Sequence, residues 1–149
     1  MNLRELNNQQ IDEYYKNESR YGGCFSASDI NKIGKGEQRF YILNLDKPSG
    51  VGSHWVSLDL TDKECGRYYD SYSLSPPEQV VKYLKKYRTE NIRNIAQHQS
   101  LTSSSCGWFC IFILNHLLQG KSFVDTVALL DSRNTNANEK VLHKYFFLK

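Results

Sequence analysis

The chain has 149 residues, 40% of them hydrophobic and 23% charged, with a formal net charge of +3. This length predicts a single domain over residues 1–149, large enough to form a core without disulfide support. The four cysteines contain no C-x-x-C pair, which argues against a disulfide framework and against a zinc site. A polar N-terminus and the lack of any run of about 18 apolar residues argue against a signal peptide and a membrane span. Reduced thiols in an intracellular setting are expected.

The first third of the chain predicts one helix, one turn and one strand. Leu3, Leu6 and Ile11 recur at helical spacing, which predicts a helix over 3–17. A glycine-containing turn follows, in which Ser26 or Ser28 caps a short helix around 29–33. The segment RFYILNLD, residues 39–46, is typical of a strand, and DKPSGVG is a turn.

The middle of the chain predicts a hairpin and then a helix. SHWVSLDL, residues 53–60, alternates as a strand does, and RYYDSYS, residues 67–73, is rich in β-forming residues. We expect these two strands to pair antiparallel. In the helix that follows, Ser75 is the expected N-cap, Pro76 the first helical residue and Glu78 the partner in a capping box.

The last third is mainly helical. Residues 91–99 fit one more strand, and helices are predicted near 106–119, 122–131 and 136–147, with Gly120 ending the first. This order of elements predicts an α+β fold in which helices pack against a small sheet.

Positive charge is dense in one short segment after the middle of the chain. A solvated helix face explains this pattern most simply. An electrostatic patch for nucleic acid is the alternative. The residues concerned are Lys82, Lys85, Lys86, Arg88 and Arg93.

Cys106 lies where a polar serine run meets the apolar segment WFCIFILNHLL, which predicts a buried helix. The N-terminus of a helix carries partial positive charge and favours a thiolate, and Gly107 lets a substrate backbone approach closely. The alternative is an inert core cysteine, which is our interpretation of Cys110, one turn further on.

A nucleophilic thiol needs a base, and His54 is the best placed of four histidines. Asp70 lies on the partner strand, and since both numbers are even, an even-sum register puts the two side chains on one face. The carboxylate would then orient the imidazole. His98 is a second candidate base, while His116 and His143 fit core or surface positions.

An oxyanion donor completes this chemistry. The side-chain amide of Gln99 precedes Cys106 by seven residues and would pair with the Cys106 backbone N–H to hold a tetrahedral intermediate. Gln97 has the same chemistry and lies on the same side of the predicted strand.

Three blocks of the sequence, GSHWVSLDL, YYDSYS and QSLTSSSCGWFC, together resemble the adenovirus-type (adenain-like) cysteine proteases. The same order recurs more distantly in the SUMO-deconjugating proteases. The resemblance spans about residues 10–120 and implies a papain-like/adenain-like fold whose buried central helix carries the nucleophile. It makes His54 the base, Asp70 the imidazole orienter, Cys106 the nucleophile and Gln99 the oxyanion donor. Trp55 would flank the substrate, as would Gly107.

The resemblance also implies a function. The expected protein is a thiol endopeptidase that acts as a monomer in the virion and at the intracellular site of virus assembly. It would process capsid or other virion precursor polypeptides at Gly-containing sites. No cofactor is expected; the family uses DNA and a tethered peptide as activators, but no cysteine lies between Cys65 and Cys106 to tether one. A deconjugase of ubiquitin-like modifiers and a non-catalytic binding module on the same scaffold are the alternatives.

Overall fold

One mixed sheet of five strands organises the computed structural model, which describes residues 3–34, 38–46 and 53–148. The strands lie in chain order across the sheet. They are β1 (Tyr21–Ser26), β2 (Phe40–Asp46), β3 (Ser53–Asp59), β4 (Cys65–Tyr69) and β5 (Glu90–Arg93). The central strands β2, β3 and β4 pair antiparallel, and both edge strands pair parallel with their neighbours. The predicted turn at 47–52 lies outside the described residues.

Helices cover both faces of this sheet. They are α1 (Asn8–Tyr14), a 3₁₀ helix (Ala27–Lys32), α2 (Glu78–Tyr87), α3 (Cys106–Leu118), α4 (Phe123–Val127) and α5 (Thr135–Phe147). The predicted α+β class is confirmed. Within the described ranges, no helix is long and apolar enough to cross a membrane.

Strand β1 replaces most of the predicted glycine turn. Gly22 packs directly on Tyr41 of β2, because an added Cβ would lie 2.2 Å from Tyr41 Cε1. Gly23 has a positive φ of 116° beside a register shift in the β1–β2 ladder. The glycines therefore serve close packing and a bulge within an edge strand, which sequence patterns cannot distinguish from a turn.

Helix starts differ from the predictions where local hydrogen bonds or prolines decide them. Helix α1 begins at Asn8 instead of residue 3, because Asn7 and Gln10 form a reciprocal capping box. The Ser26 side chain caps the 3₁₀ helix through the Ser28 N–H, as predicted. The predicted cap at Ser75 is wrong.

Helix α2 begins later than predicted because of two consecutive prolines. Pro77, at φ −58° and ψ 153°, occupies the N-cap position without a side-chain hydrogen bond, and Glu78 is the first helical residue. A residue that precedes a proline is driven out of the helical region, so Pro76 cannot be the first residue of the helix. The predicted strand over 91–99 is also shorter, ending at Arg93, and the remainder is a loop that leads to α3.

The alternating strands build a core on each side of the sheet. Tyr41 and Leu43 of β2 face the 3₁₀ helix and α2, together with Val56 and Leu58 of β3. The intervening residues face α1 and α3 instead. They are Phe40, Ile42 and Trp55, which cluster with Cys106 and Cys110. Both faces of the central strands are thus buried.

Helix α3 is apolar nearly all round, as predicted, because it lies between the sheet and a third cluster. That cluster joins Phe109, Phe112 and Ile113 to Phe123 of α4 and Leu142 of α5. Gly120, with a φ of 91°, follows the end of α3 and lets the chain leave the helix. The sequence just before this helix is thereby brought to one edge of the core, where the candidate site lies.

Candidate active site

The β3–β4 hairpin brings His54 and Asp70 together. Its register pairs Ser57 with Tyr69 and Leu58 with Tyr68, an even sum, so the expected shared face is present. Asp70 comes directly after β4, and its Oδ1 lies 2.6 Å from His54 Nε2. Both side chains are buried, with 4% and 1% of their surface exposed. The carboxylate therefore orients the imidazole.

Asp70 is itself held by backbone contacts. Its Oδ1 accepts the Tyr72 N–H at 2.8 Å, and its own N–H donates to Asn94 Oδ1 at 2.9 Å. The Asn94 side-chain amide returns a hydrogen bond to the Asp70 carbonyl oxygen at 2.7 Å. Asn94 lies just after β5 and was not predicted, since its contact with Asp70 spans 24 residues.

The protonation of His54 follows from these neighbours. Burial lowers the pKa of His54, but the hydrogen bond to Asp70 and the nearby Cys106 sulfur outweigh this effect and raise the pKa to about 9. With Nε2 directed at Asp70, the second ring nitrogen, Nδ1, is left for the thiol. Nδ1 is buried and makes no close hydrogen bond within the described part of the chain. This arrangement allows Nδ1 of His54 to exchange a proton with Cys106.

Cys106 is the first residue of α3 and follows the N-cap Ser105. Its side chain is buried, with 3% of its surface exposed, and clusters with Trp55. The first N–H groups of a helix have no partner within the helix and favour negative charge beside them. Cys110 is fully buried in the same helix, and burial raises the pKa of its thiol well above the usual range. The two cysteines differ in their surroundings: Cys106 lies near the imidazole, and Cys110 packs in the core.

Tyr72 covers the imidazole and was missed by sequence reasoning. Its ring stacks on that of His54, with centroids 4.3 Å apart and planes 17° apart. Its hydroxyl donates to the Ser103 carbonyl oxygen at 3.0 Å. Extending the even-sum hairpin register by three residues places Tyr72 opposite His54, so that register was the available signal.

Gln99 lies in the loop before α3 and is fully buried. Its Oε1 accepts from Ser71 Oγ at 2.5 Å. Its Nε2 donates to the Ser103 carbonyl oxygen at 3.0 Å and, at 3.3 Å, to the Ser103 hydroxyl. Gln97 is placed differently, because its amide nitrogen donates to the Gln99 carbonyl oxygen at 2.8 Å.

Trp55 and Gly107 adjoin the site on the side of the N-terminal segment. The Trp55 Nε1 donates to the Leu6 carbonyl oxygen at 2.9 Å, and a Cβ added to Gly107 would lie 3.2 Å from Leu6 Cβ. An open cavity of about 490 Å³ lies beside Trp55. Most of its lining is polar and includes Glu5, Asn7, Ser26 and Asn44.

The other histidines have different surroundings. His98 is buried, with Nδ1 lying 2.9 Å from the Tyr69 hydroxyl, and burial lowers the pKa of His98 to about 4. His116 Nδ1 contacts the Phe112 carbonyl oxygen at 2.7 Å. His143 lies in α5 and packs near Phe147. None of these three takes the place of His54 beside Asp70.

The predicted basic segment lies on α2 and β5. Lys82, Lys85 and Lys86 lie on the exposed side of α2, and Lys82 pairs with Glu78 at 3.2 Å. The Arg88 guanidinium donates to the Leu60 carbonyl oxygen at 2.8 Å, and Arg93 donates to the Ser73 carbonyl oxygen at 3.4 Å. This placement fits a solvated helix face. Across the described ranges, no cluster of His, Cys, Asp or Glu is arranged to hold a metal ion.

The fold that places these residues is a protease-like fold: a five-stranded mixed sheet packed against helices, as in a viral protease of known structure. One protein that it resembles is the ASFV pS273R protease. One crystal structure of that protease matches with a TM-score of 0.60 at 20% sequence identity. The match covers 93% of this chain and 65% of the other, so this chain spans about two thirds of its length.

A second structure, of the selenomethionine ASFV pS273R protease, matches with a TM-score of 0.64 at 19% identity, covering 99% of this chain and 70% of that one. No family model matches the chain, and no curated protein matches it by sequence. The similarity therefore establishes the fold. The narrower resemblance to the adenovirus-type family has no support from these comparisons.

Proposed function

We propose that the chain is a cysteine endopeptidase in which Cys106 is the nucleophile, His54 the acid–base group and Asp70 its orienter. The observation that carries the proposal is the buried Asp70–His54 pair, 2.6 Å apart, beside a cysteine at the start of a buried helix. A carboxylate on one imidazole nitrogen and a thiol near the other are the parts that thiol-dependent acyl transfer requires. The protease-like fold supports the same conclusion.

The mechanism follows from this arrangement. The Cys106 sulfur attacks the peptide carbonyl carbon, forming a C–S bond and an oxyanion, while His54 holds the thiol proton on Nδ1. The Cys106 backbone N–H and the Gln99 amide stabilise the oxyanion. His54 gives its proton to the leaving amine as the C–N bond breaks. Water, deprotonated by His54, then cleaves the thioester and restores the thiol.

The proposed substrates are viral precursor polypeptides at a site of virus assembly, cut at Gly-containing positions. The fold is that of a viral protease, and the cavity beside Trp55 offers polar groups to an extended peptide. The nucleophile is nearly covered, so small residues at the scissile bond would allow the closest approach to Cys106. We propose that the chain acts as a monomer.

The test is hydrolysis of Gly-containing peptides by the purified chain and by Cys106→Ala. Removing the sulfur should abolish hydrolysis, a loss of at least about 1,000-fold in kcat. Cys65→Ala is the matched control, since this half-buried cysteine lies on β4 outside the site, and it should keep wild-type activity. Cleavage that survives in Cys106→Ala would refute the proposal.

A ubiquitin-like vinyl-sulfone probe, used on the same samples, separates the alternatives. Labelling of Cys106 by this probe without peptide cleavage would instead indicate a deconjugase. A wild-type chain whose Cys106 resists iodoacetamide near neutral pH, and which cleaves nothing, would indicate a non-catalytic binding module.

A further inference from the structure

A carboxylate from α5 reaches the loop that precedes the nucleophile. Glu139 Oε1 accepts hydrogen bonds from the Ser103 hydroxyl at 2.5 Å and the Ser105 hydroxyl at 2.6 Å. The two hydroxyl oxygens are 2.7 Å apart. Ser105 is the N-cap residue of α3, so Glu139 is linked to Cys106 through a single neighbouring residue. Charge-assisted bonds of this kind are about twice as strong as neutral ones.

These two bonds fix the direction of the hydrogen bonds further along the loop. A serine hydroxyl carries one hydrogen; Ser103 gives its hydrogen to the carboxylate, and the Ser105 hydrogen is shared between the carboxylate and the Ser103 oxygen. The Ser103 oxygen is then left as an acceptor, which receives the Gln99 Nε2 at 3.3 Å and the Ser105 N–H at 3.3 Å. Glu139 therefore acts on Gln99 without touching it.

The orientation of the Gln99 amide depends on this chain of bonds. Ser71 donates to the amide oxygen, and the Ser103 carbonyl and hydroxyl oxygens both face the amide nitrogen. If the amide turned over, its oxygen would face the Ser103 carbonyl oxygen, which has no hydrogen to give. Without Glu139, the Ser103 hydrogen would be free to rotate toward the Gln99 amide nitrogen, which cannot accept it, so the bond between Gln99 Nε2 and the Ser103 hydroxyl would be lost.

We infer that Glu139 is a positioning residue which, through Ser103 and Ser105, holds the Gln99 amide and the loop that leads into Cys106 in place for the oxyanion that forms there. This inference rests on the proposed function. The carboxylate contributes as an acceptor of two hydrogens, so glutamine at this position, which keeps one acceptor oxygen, should replace it in large part.

The test compares wild type, Glu139→Ala, Glu139→Gln and Lys140→Ala, the last being an exposed neighbour on α5. Peptide hydrolysis gives kcat and KM, and mass spectrometry gives the rate of Cys106 alkylation by iodoacetamide. Glu139→Ala should lower kcat by about 10- to 100-fold with little change in KM, because oxyanion contacts act in the transition state. Alkylation should keep its wild-type rate, since it forms no oxyanion. Glu139→Gln should recover most of kcat, and Lys140→Ala should match wild type.

A second variant removes the link without touching α5. Ser103→Ala should lower kcat as Glu139→Ala does, and the double variant should lose no more than either alone. This variant decides the matter if Glu139→Ala does not fold.

Several outcomes would overturn the inference. One is a wild-type kcat/KM in Glu139→Ala; another is an equal fall in hydrolysis and alkylation, which would show an effect on the thiol pair or on folding. A wild-type chain that hydrolyses no peptide would overturn the proposed function and this inference together. If the wild-type chain hydrolyses peptides but the Glu139 variants do not behave as predicted, only the inference is overturned and the proposed function stands.

Discussion

At the scale of single residues, His54 has contacts on three sides, two of which favour its charged form. Asp70 binds one ring nitrogen, the Cys106 sulfur lies near the other, and the Tyr72 ring covers one face. A buried imidazole would ordinarily be neutral, as His98 is, since burial lowers its pKa to about 4. The pKa values of these two buried histidines are thus shifted in opposite directions, because His54 has a carboxylate and a thiol beside it.

The raised pKa of His54 predicts how the stability of the protein depends on pH. The pKa of His54 is raised to about 9 in the folded protein, so its contribution is fully present below its ordinary pKa of 6.5 and is lost as pH rises through 9. Between pH 6 and 10 the free energy of unfolding of wild type should fall by about 3 kcal/mol more than that of His54→Gln. Urea denaturation at intervals of one pH unit measures this difference.

The control is Cys65→Ala, which should follow the wild-type pH dependence. Parallel curves for wild type and His54→Gln would show that the charged imidazole contributes nothing to stability. A difference that appears below pH 6 instead would show that the sign of the pKa shift is wrong.

Sequence patterns predict the positions of some residues of the site and miss others. The positions of His54 and Asp70 were predictable, because strand alternation and an even hairpin register depend on neighbours along the chain. The position of Cys106 was predictable from the change between polar and apolar sequence. Glu139 was not, since its contact with Ser103 spans 36 residues and joins elements that no local pattern relates.

At the scale of elements, the N-terminal segment 3–7 packs against the start of α3. Trp55 Nε1 donates to the Leu6 carbonyl oxygen, and Trp108 Nε1 donates to the Arg4 carbonyl oxygen at 2.8 Å. The Leu6 side chain lies against Gly107, one residue after the nucleophile. The extended segment before α1 therefore closes one side of the site, and it needs a glycine beneath it.

Gly107→Ala should accordingly cost stability through Leu6. The new Cβ would lie 3.2 Å from Leu6 Cβ and 3.3 Å from its Cδ1, so the segment must shift. Overpacking of this kind costs about 1–3 kcal/mol, less the gain of about 0.5–1 kcal/mol that alanine brings to a helix. In a Leu6→Gly background, which removes the Leu6 Cβ as well as its Cδ1, the same substitution should be neutral or stabilising. Urea denaturation of the four proteins in this double-mutant cycle measures the coupling, and additive effects would contradict it.

Helices and strands were predicted well where one hydrophobic periodicity holds along the whole element. They were predicted poorly where a single residue determines whether or where the element forms. The strands β2 and β3 and the helix α3 have sustained apolar patterns, and their bounds agree within about two residues with the prediction. The strand β1 was missed because Gly22 and Gly23 signal a turn locally, although Tyr41 of the next strand fills the space above Gly22. Tertiary packing decides such cases.

At the scale of the whole molecule, α3 joins the parts of the fold. Its residues belong to the cluster under the sheet and to the cluster with α4 and α5, so one helix carries both the nucleophile and much of the core. The remaining site residues come from the β3–β4 hairpin and the loop after β5. The site is therefore complete only when all three parts are packed together.

Damage to the interior of α3 should consequently affect folding and activity together. Phe109 is fully buried, and Phe109→Ala should lower the free energy of unfolding by about 3–5 kcal/mol. Val124→Ala, at a position in α4 with 66% of its surface exposed, is the control and should change it by less than about 0.5 kcal/mol. Thermal or urea denaturation measures both, and a small effect of Phe109→Ala would show that this part of the core collapses to fill the space.

The contact between α5 and the loop before Cys106 has a consequence for the order of events during protein synthesis. The ribosome makes α5 after all five strands and after α3. A nascent chain therefore contains Cys106, His54 and Asp70 before Glu139 has left the ribosome, and at that stage the Gln99 loop lacks its carboxylate anchor. On the mechanism proposed above, such a chain would be slow to cut peptide bonds, including those of the polypeptide still being made. Timing of activity would thus follow from the late synthesis of α5, which supplies both Glu139 and the core residue Leu142.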